Sequence, residues 1–238
     1  FAAPLHPRGS RGAPRQPVMA ASKPLILAFD TSAAHCAAAV LSGETILAHA
    51  HEAMEKGQGE RLMLLLAEVV AASGACLADL DAIGVGVGPG NFTGIRIAVS
   101  AARGLALGLG IPAVGVSTLE ALAHDLPRPI TVIADARRGE VYVQAFDGAG
   151  AGDPLLLTPG DLPHLIAGGA VTGSGAGMAV AAWPGLVVLP PALPLAEAIA
   201  RIAALRWRDT DLPRPAPMYL RAADAAPART AGPMILPS

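Results

Sequence analysis

The stretch GVGVGPGNFTG, residues 84–94, decides the fold. Ile83, Val85 and Val87 alternate with Gly84, Gly86 and Gly88. That two-residue period predicts a strand over 82–88 whose glycine face admits a close neighbour. Pro89, Gly90 and Asn91 make a turn, and an apolar run with many small residues continues to Leu109, where Gly110 and Pro112 supply helix stop signals. The string is therefore a strand-to-helix turn. Such a turn presents free N–H groups and the positive end of a helix dipole, the makings of an anion site. Two sharper patterns fail. Gly86-Val87-Gly88 is followed by Pro89, Gly90 and Asn91, and the next acidic residue is Glu120, so the dinucleotide fingerprint is absent; no lysine follows the glycines, so the P-loop is absent too. A tight, closely packed turn is favoured over a phosphate cradle, and both readings stay open.

Working outward, three short apolar runs precede this unit, at 25–29, 36–41 and 45–50, punctuated by Asp30-Thr31-Ser32 and Gly43. They predict an antiparallel meander. Over 58–73, Leu62, Leu65, Leu66, Val69 and Val70 recur at helical spacing, with Gly74 placed as a stop. Met63 and Leu64 lie off that stripe, so the helix is apolar on more than one face, as in a helix that is either fully buried or half-buried with a second face for a partner. In the helix 92–109, Ser100, Gly104 and Gly108 recur every fourth residue, a spacing that allows close helix contact.

Downstream, 113–116 reads as a strand, and Ser117 caps a helix with Glu120 at the capping-box position. After Pro127 and Pro129, strands over 130–134 and 140–146 form a hairpin about Arg137-Arg138-Gly139. A short strand over 171–174 runs into a glycine-rich turn, 195–207 is an amphipathic helix, and the Pro-rich tail from Asp211 is loop. The order predicts an α/β protein of two pseudo-related units: a leader or cloning-derived extension over 1–18, an N-terminal α/β subdomain over 19–125 carrying the partner-binding helices, and a C-terminal α/β subdomain over 126–238.

Composition excludes several classes. The 238 residues are 53% apolar but only 3% aromatic, so the core must be built from small aliphatic side chains. A net charge of −2 and no basic stripe argue against an autonomous nucleic-acid binder. The apolar stretch 97–116 is broken by Arg103 and Pro112, which argues against a membrane span. Cys36 and Cys76 lack a CxxC pattern and read as free thiols of a reducing cytosol.

The candidate sites are few. Asp30-Thr31-Ser32 either holds a nucleotide-bound magnesium ion through water or is a turn in which Asp30 bonds its own backbone. Together with Gly88 and Gly90, Asp30 and Thr31 form the candidate nucleotide-binding set. His49 and His51 share one side of a strand, with His35 as a third imidazole, but surface histidines explain them better than a metal site. There is no GxSxG and no Cys–His pairing, so no catalytic residue is assigned. Asp135, Arg137, Arg138 and Glu140 gather at one turn, either as an anion- or partner-contacting cluster or as a solvated hairpin end.

These strings resemble the TsaB family, also called YeaZ, of the bacterial tRNA threonylcarbamoyladenosine pathway. The matching pieces are ILAFDTS (26–32), GQGERLMLLL (57–66), GVGVGPGNFTGIRIAVSAARGLA (84–106), GVSTLEALA (115–123), DARRGEVY (135–142) and PMYLR (217–221). The resemblance implies an actin/sugar-kinase/Hsp70-like fold of two similar subdomains and a catalytically inactive subunit. It implies a partner, the TsaD-type subunit that transfers threonylcarbamoyl to tRNA, a TsaE-type ATPase in the same assembly, tRNA contacted only through the complex, no membrane, and a cytoplasmic setting. The catalytic paralogue's HxxxH metal motif has no counterpart in 57–66, which holds no histidine. No cofactor is firmly implied; ATP or ADP with magnesium at the interface of the complex is the one candidate. The resemblance implies pairing through the two N-terminal helices, which here places Leu62, Leu65, Leu66, Val69, Ile95, Val99, Ala102 and Ala106 near the contact, with some of them facing the chain's own sheet instead; a homodimer through the same helices is a further expectation. The competing readings are an autonomous nucleotide-dependent phosphotransferase or ATPase of the same fold, and a metallopeptidase.

Overall fold

A computed structural model describes residues 23–164, 166 and 169–221. The leader assigned to 1–18 lies outside the described residues. Strands β1 (Leu25–Asp30), β2 (His35–Ser42) and β3 (Thr45–Ala53) form the expected meander. Helix α1 (Gln58–Ala72), β4 (Ala82–Gly86), α2 (Phe92–Leu109), β5 (Ala113–Val116) and α3 (Thr118–Ala123) follow. The second half holds β6 (Ile130–Arg137), β7 (Glu140–Phe146), β8 (Leu155–Leu157), β9 (Ala170–Thr172), α4 (Ala176–Ala182), β10 (Val187–Val188) and α5 (Leu195–Arg206).

The first sheet has the order β3-β2-β1-β4-β5, and the second has β8-β7-β6-β9-β10. In each, three antiparallel strands are followed by two parallel ones. The halves are thus one topology used twice. β1 is buried on both faces, as its unbroken apolar run requires. Leu27 and Phe29 pack under α1 and α2, while Ile26 and Ala28 pack under α5. The glycine face of β4 has the anticipated use, since a Cβ on Gly84 would lie 2.9 Å from the Ala203 Cβ of α5. α1 is tied to β3 where Arg61 bridges Glu52 at 2.6 Å and Glu68 at 2.5 Å. Hydrogen bonds from that guanidinium hold both carboxyls below their usual range.

The simple division at residue 125 needs correction. α5 follows the second sheet in the chain but packs on the first, with Ile199, Ile202 and Ala203 against Ile26 and Val114. α3 reaches the other way, setting Leu119 and Ala123 against Ile130, Val132 and Phe146 of the second sheet. Each half covers an apolar face that the other leaves open. The sequence also gave no sign of β8, α4 and β10, whose runs of two to seven residues are too short to show a period.

Among the described residues one helix, α2, is long and apolar enough to cross a membrane by length and composition. Its Ile95, Ala98, Val99, Ala102 and Ala106 are instead buried on the sheet.

Both cysteines are unpaired; Cys36 is buried in β2 and Cys76 is exposed. Burial, with some help from Glu52, pushes the Cys36 thiol up to about 11. An alkylating reagent at pH 8 is expected to label Cys76 alone in the native protein and both thiols in denaturant, as read by mass spectrometry. Because the folded thiol ionises later than the unfolded one, Cys36 leaves stability unchanged below pH 9 and lowers it between pH 9 and about 11. Urea midpoints of Cys36→Ala and wild type should therefore converge across that window.

Candidate functional site: a cleft between the two sheets

A cleft of about 980 Å³ opens between the halves. One wall carries Ser32, His35, Gly90 and Phe92; the other carries Asp135, Arg137, Arg138 and Ser174; Tyr219 and Arg221 come from the tail. Of the four nucleotide-site candidates, Gly90 alone lines it.

Asp30 is fully buried. Its Oδ1 accepts hydrogen bonds from the Ser32 N–H at 2.9 Å and the Ser32 hydroxyl at 2.8 Å, and lies 2.8 Å from His35 Nε2. Its Oδ2 has no partner and sits over Gly86, where a Cβ would come within 1.8 Å. Oδ1 is the centre of a closed turn, the geometry of the turn reading of Asp30. Thr31, also fully buried, donates its hydroxyl to the Gly94 carbonyl at 2.7 Å.

The glycine loop is likewise spent on packing. Asn91 Oδ1 accepts from the N–H groups of Thr93 at 3.0 Å and Gly94 at 2.9 Å, so two of the donors that would hold an anion at the start of α2 are already occupied. The Asn91 N–H itself goes to the Ser32 carbonyl at 2.6 Å. Gly88 has φ +93°, and a Cβ there would lie 2.6 Å from Ile95 Cδ1. Its carbonyl accepts from the Thr118 N–H at 2.9 Å. Ser117 does cap α3, through the Leu119 N–H at 3.2 Å.

On the opposite wall the hairpin holds Asp135, Arg137, Arg138 and Glu140 together, as expected. The β6–β7 register shifts between Asp135 and Arg137, and Arg137, Arg138 and Gly139 all take positive φ, at 63°, 55° and 76°. Asp135 Oδ1 accepts the Arg137 N–H at 2.7 Å and supports the bulge. Glu140 pairs with Arg221, whose Nη2 also donates to the Ala136 carbonyl at 3.2 Å. The cluster is therefore part salt-bridged end and part cationic cleft wall. His49 pairs with Glu197 of α5, while His51 meets His35 with ring centroids 5.0 Å apart. No group of three or more His, Cys, Asp or Glu residues that could hold a metal occurs among the described residues.

The expected contact residues are also corrected. Leu62, Leu65, Leu66, Val69, Ile95, Val99, Ala102 and Ala106 are all buried in the chain's own core, because the strongest apolar stripe of each helix faces its own sheet. The faces left outward carry Met63, Leu64 and Ala67 on α1, and Ser100, Gly104 and Leu107 on α2. Leu64 is 61% exposed and Leu107 86% exposed. A Cβ on Gly104 or Gly108 would meet nothing within 4 Å, so the small-residue row is open to an incoming backbone.

Residues 46–152 match the family model described as TsaD, tRNA N6-adenosine threonylcarbamoyltransferase. Over 122 residues, 49% of this chain and 52% of the relative, the sequence is 38% identical to tRNA threonylcarbamoyladenosine biosynthesis protein TsaB of Escherichia coli (strain K12). Over 208 residues, 85% of this chain and 94% of the relative, it is 32% identical to an uncharacterized protein of Mycobacterium tuberculosis. The solved structure of YeaZ from Pseudomonas aeruginosa superposes with a TM-score of 0.70 at 28% identity, covering 83% of this chain and 100% of that one.

The chain belongs to the TsaB/YeaZ family.

Its fold is the actin/sugar-kinase/Hsp70-like one, with the repeated sheet topology described above. The match spans about half the length of the Escherichia coli TsaB protein. In this TsaB/YeaZ chain, sequence reasoning missed Phe92, Arg96, Tyr219 and Arg221 at the cleft mouth. They lie up to 129 residues apart, and the one available signal was that Phe92 and Arg96 fall in GPGNFTGIR and Tyr219 and Arg221 in PMYLR.

A pair of glycine substitutions separates packed from open positions in the TsaB/YeaZ helix α2. Gly94→Ala would place a Cβ 1.9 Å from the Thr31 carbonyl oxygen, and should cost about 1–3 kcal/mol in urea denaturation. Gly104→Ala meets open space, and should gain up to about 1 kcal/mol by helix propensity.

Proposed function

We propose that this chain is a non-catalytic subunit in the formation of threonylcarbamoyladenosine in tRNA, docking a TsaD-type transferase through the outer faces of α1 and α2. The match to TsaB proteins gives the pathway. The observation that carries the partner role is the outward apolar surface of the two helices: Met63 and Leu64 on α1 and Leu107 on α2 are exposed, and Gly104 and Gly108 on α2 are open. A patch of this kind beside a small-residue row fits a close helix–helix contact. An autonomous phosphotransferase is disfavoured, because Asp30 and the glycine loop are closed by their own hydrogen bonds. In this reading the working state is a cytoplasmic assembly with a TsaE-type ATPase, tRNA is engaged within that assembly, and the free chain pairs with a copy of itself through the same faces.

Reconstitution tests the proposal. Threonylcarbamoyladenosine in tRNA, measured by mass spectrometry of nucleoside digests, should form when this chain is combined with TsaD- and TsaE-type proteins and the threonylcarbamoyl adenylate. It should fall to background when the chain is omitted; undiminished product without it would sink the reading.

Leu107→Arg and Leu64→Arg place a charge on the proposed contact. Each should leave unfolding free energy within about 0.5 kcal/mol of wild type, yet weaken binding of the TsaD-type partner by about tenfold or more in calorimetry.

A further inference from the structure

Phe92 opens α2 at one side of the cleft mouth, and Tyr219 arrives from the tail segment. Their ring centroids are 5.1 Å apart with planes inclined by 31°. The Arg96 guanidinium lies 3.7 Å from the centre of the Phe92 ring, and its Nε donates to the Tyr219 hydroxyl oxygen at 2.7 Å. This ties both rings into one rigid group. Yet Phe92 remains 42% exposed and Tyr219 44% exposed. In a chain with only four Phe and two Tyr, two rings held half-exposed side by side are conspicuous. Both rings line the cleft.

The chemistry around them is cationic. The Asp and Arg residues lining the cleft are Asp135, Arg137, Arg138 and Arg221. Arg221 is paired with Glu140, and Asp135 is occupied in supporting its own bulge. The strained backbone of Arg137 and Arg138, both at positive φ, keeps two guanidinium-bearing residues on the wall facing the rings.

We propose that the cleft mouth is a binding site for an unpaired base of an RNA strand, with the base stacking on the Phe92–Tyr219 platform and its phosphate facing Arg137 and Arg138. Stacking on aromatic rings accepts any base, and Arg supplies the phosphate contacts that fix the strand. A cleft of about 980 Å³ accommodates a nucleotide. A short stacking site of this kind matches a chain without a basic stripe: it would orient a strand that another subunit grips. The choice of tRNA as the cellular strand rests on the pathway reading above; the stacking site itself rests on the rings and the arginines.

The test is fluorescence anisotropy of a fluorescein-labelled single-stranded oligoadenylate with the full chain at several salt concentrations. Wild type should bind at low salt. Phe92→Ala and Tyr219→Ala should each weaken binding by about fivefold to a hundredfold with an unchanged salt slope, as loss of stacking does. Arg137→Ala should weaken binding and make the salt slope shallower by about 0.7 per lost phosphate contact. Tyr219→Phe and Phe92→Tyr keep the rings and should retain most of the affinity, which guards against a folding artefact in the alanine variants, as do their thermal midpoints. No binding by wild type at low salt, or wild-type affinity in both alanine variants, overturns the proposal. It is also overturned if the alanine variants lose the TsaD-type partner in calorimetry while oligoadenylate binding is untouched, because the rim is then a protein contact. Failure of the pathway reading shows separately, as undiminished modification without this chain in the reconstitution, and leaves the oligoadenylate result to stand or fall by itself.

Discussion

A side chain on Gly94 would put its Cβ 1.9 Å from the Thr31 carbonyl oxygen, and one on Gly90 would come within 2.3 Å of the Ser32 carbonyl oxygen. The first turn of α2 and the turn between β1 and β2 are thus pressed backbone against backbone. Two hydrogen bonds close the contact, from the Thr31 hydroxyl to the Gly94 carbonyl and from the Asn91 N–H to the Ser32 carbonyl. The wall of the cleft built from the first sheet takes its position from this joint. It fixes where α2 begins, hence where Phe92 and Arg96 stand, and which stripe of α2 meets the sheet. It also fixes the Asp30 turn, whose Oδ1 is engaged by Ser32 and His35 while Oδ2 lies buried without a partner.

The same closeness explains why a site with the outline of a nucleotide pocket does not have its chemistry on this wall. A phosphate needs free N–H groups at a helix start, and Asn91 already occupies those of Thr93 and Gly94. A metal needs an accessible carboxylate, and Asp30 is sealed. What the cleft keeps is on its other wall and rim: arginines on a bulged hairpin and two half-exposed rings joined by Arg96. The exchange of α3 and α5 between the sheets binds the two walls into one molecule, because each helix fills an apolar face belonging to the other half.

Much of the fold was legible in the sequence because its signals are local. The alternation of Ile83, Val85 and Val87 with glycine, the turn at Pro89-Gly90-Asn91, the stop at Gly110, and the cap at Ser117 each act within a few residues, and α2, β5 and β7 fall where those signals put them. β6 runs on to Arg137, past the expected end at Ala134, since the bulge lets pairing resume beyond Asp135. The site was less legible. Asp30 and the glycines were chosen as candidates by their types and their place after a strand, and only long-range contacts, Asp30 to Gly86 and Thr31 to Gly94, show that they are occupied. The contact residues were chosen from the strongest apolar stripes, and those stripes point inward.

The sequence by itself determined the element order, the strand-to-helix turn at 88–94, the family, and the presence of more apolar surface on α1 and α2 than one sheet can cover. Periodicity, capping and turn chemistry carry that information, and they operate over a turn of helix or a pair of strands. Only the tertiary structure decided which stripe of each helix is core and which is open, that α5 belongs to the first sheet, and that Phe92, Arg96 and Tyr219 form one group at the cleft mouth. Those outcomes depend on which surfaces meet across separations such as 123 residues for Arg96 and Tyr219 and 148 for His49 and Glu197, and a side chain's type says what it can bond to, not what the fold brings within reach.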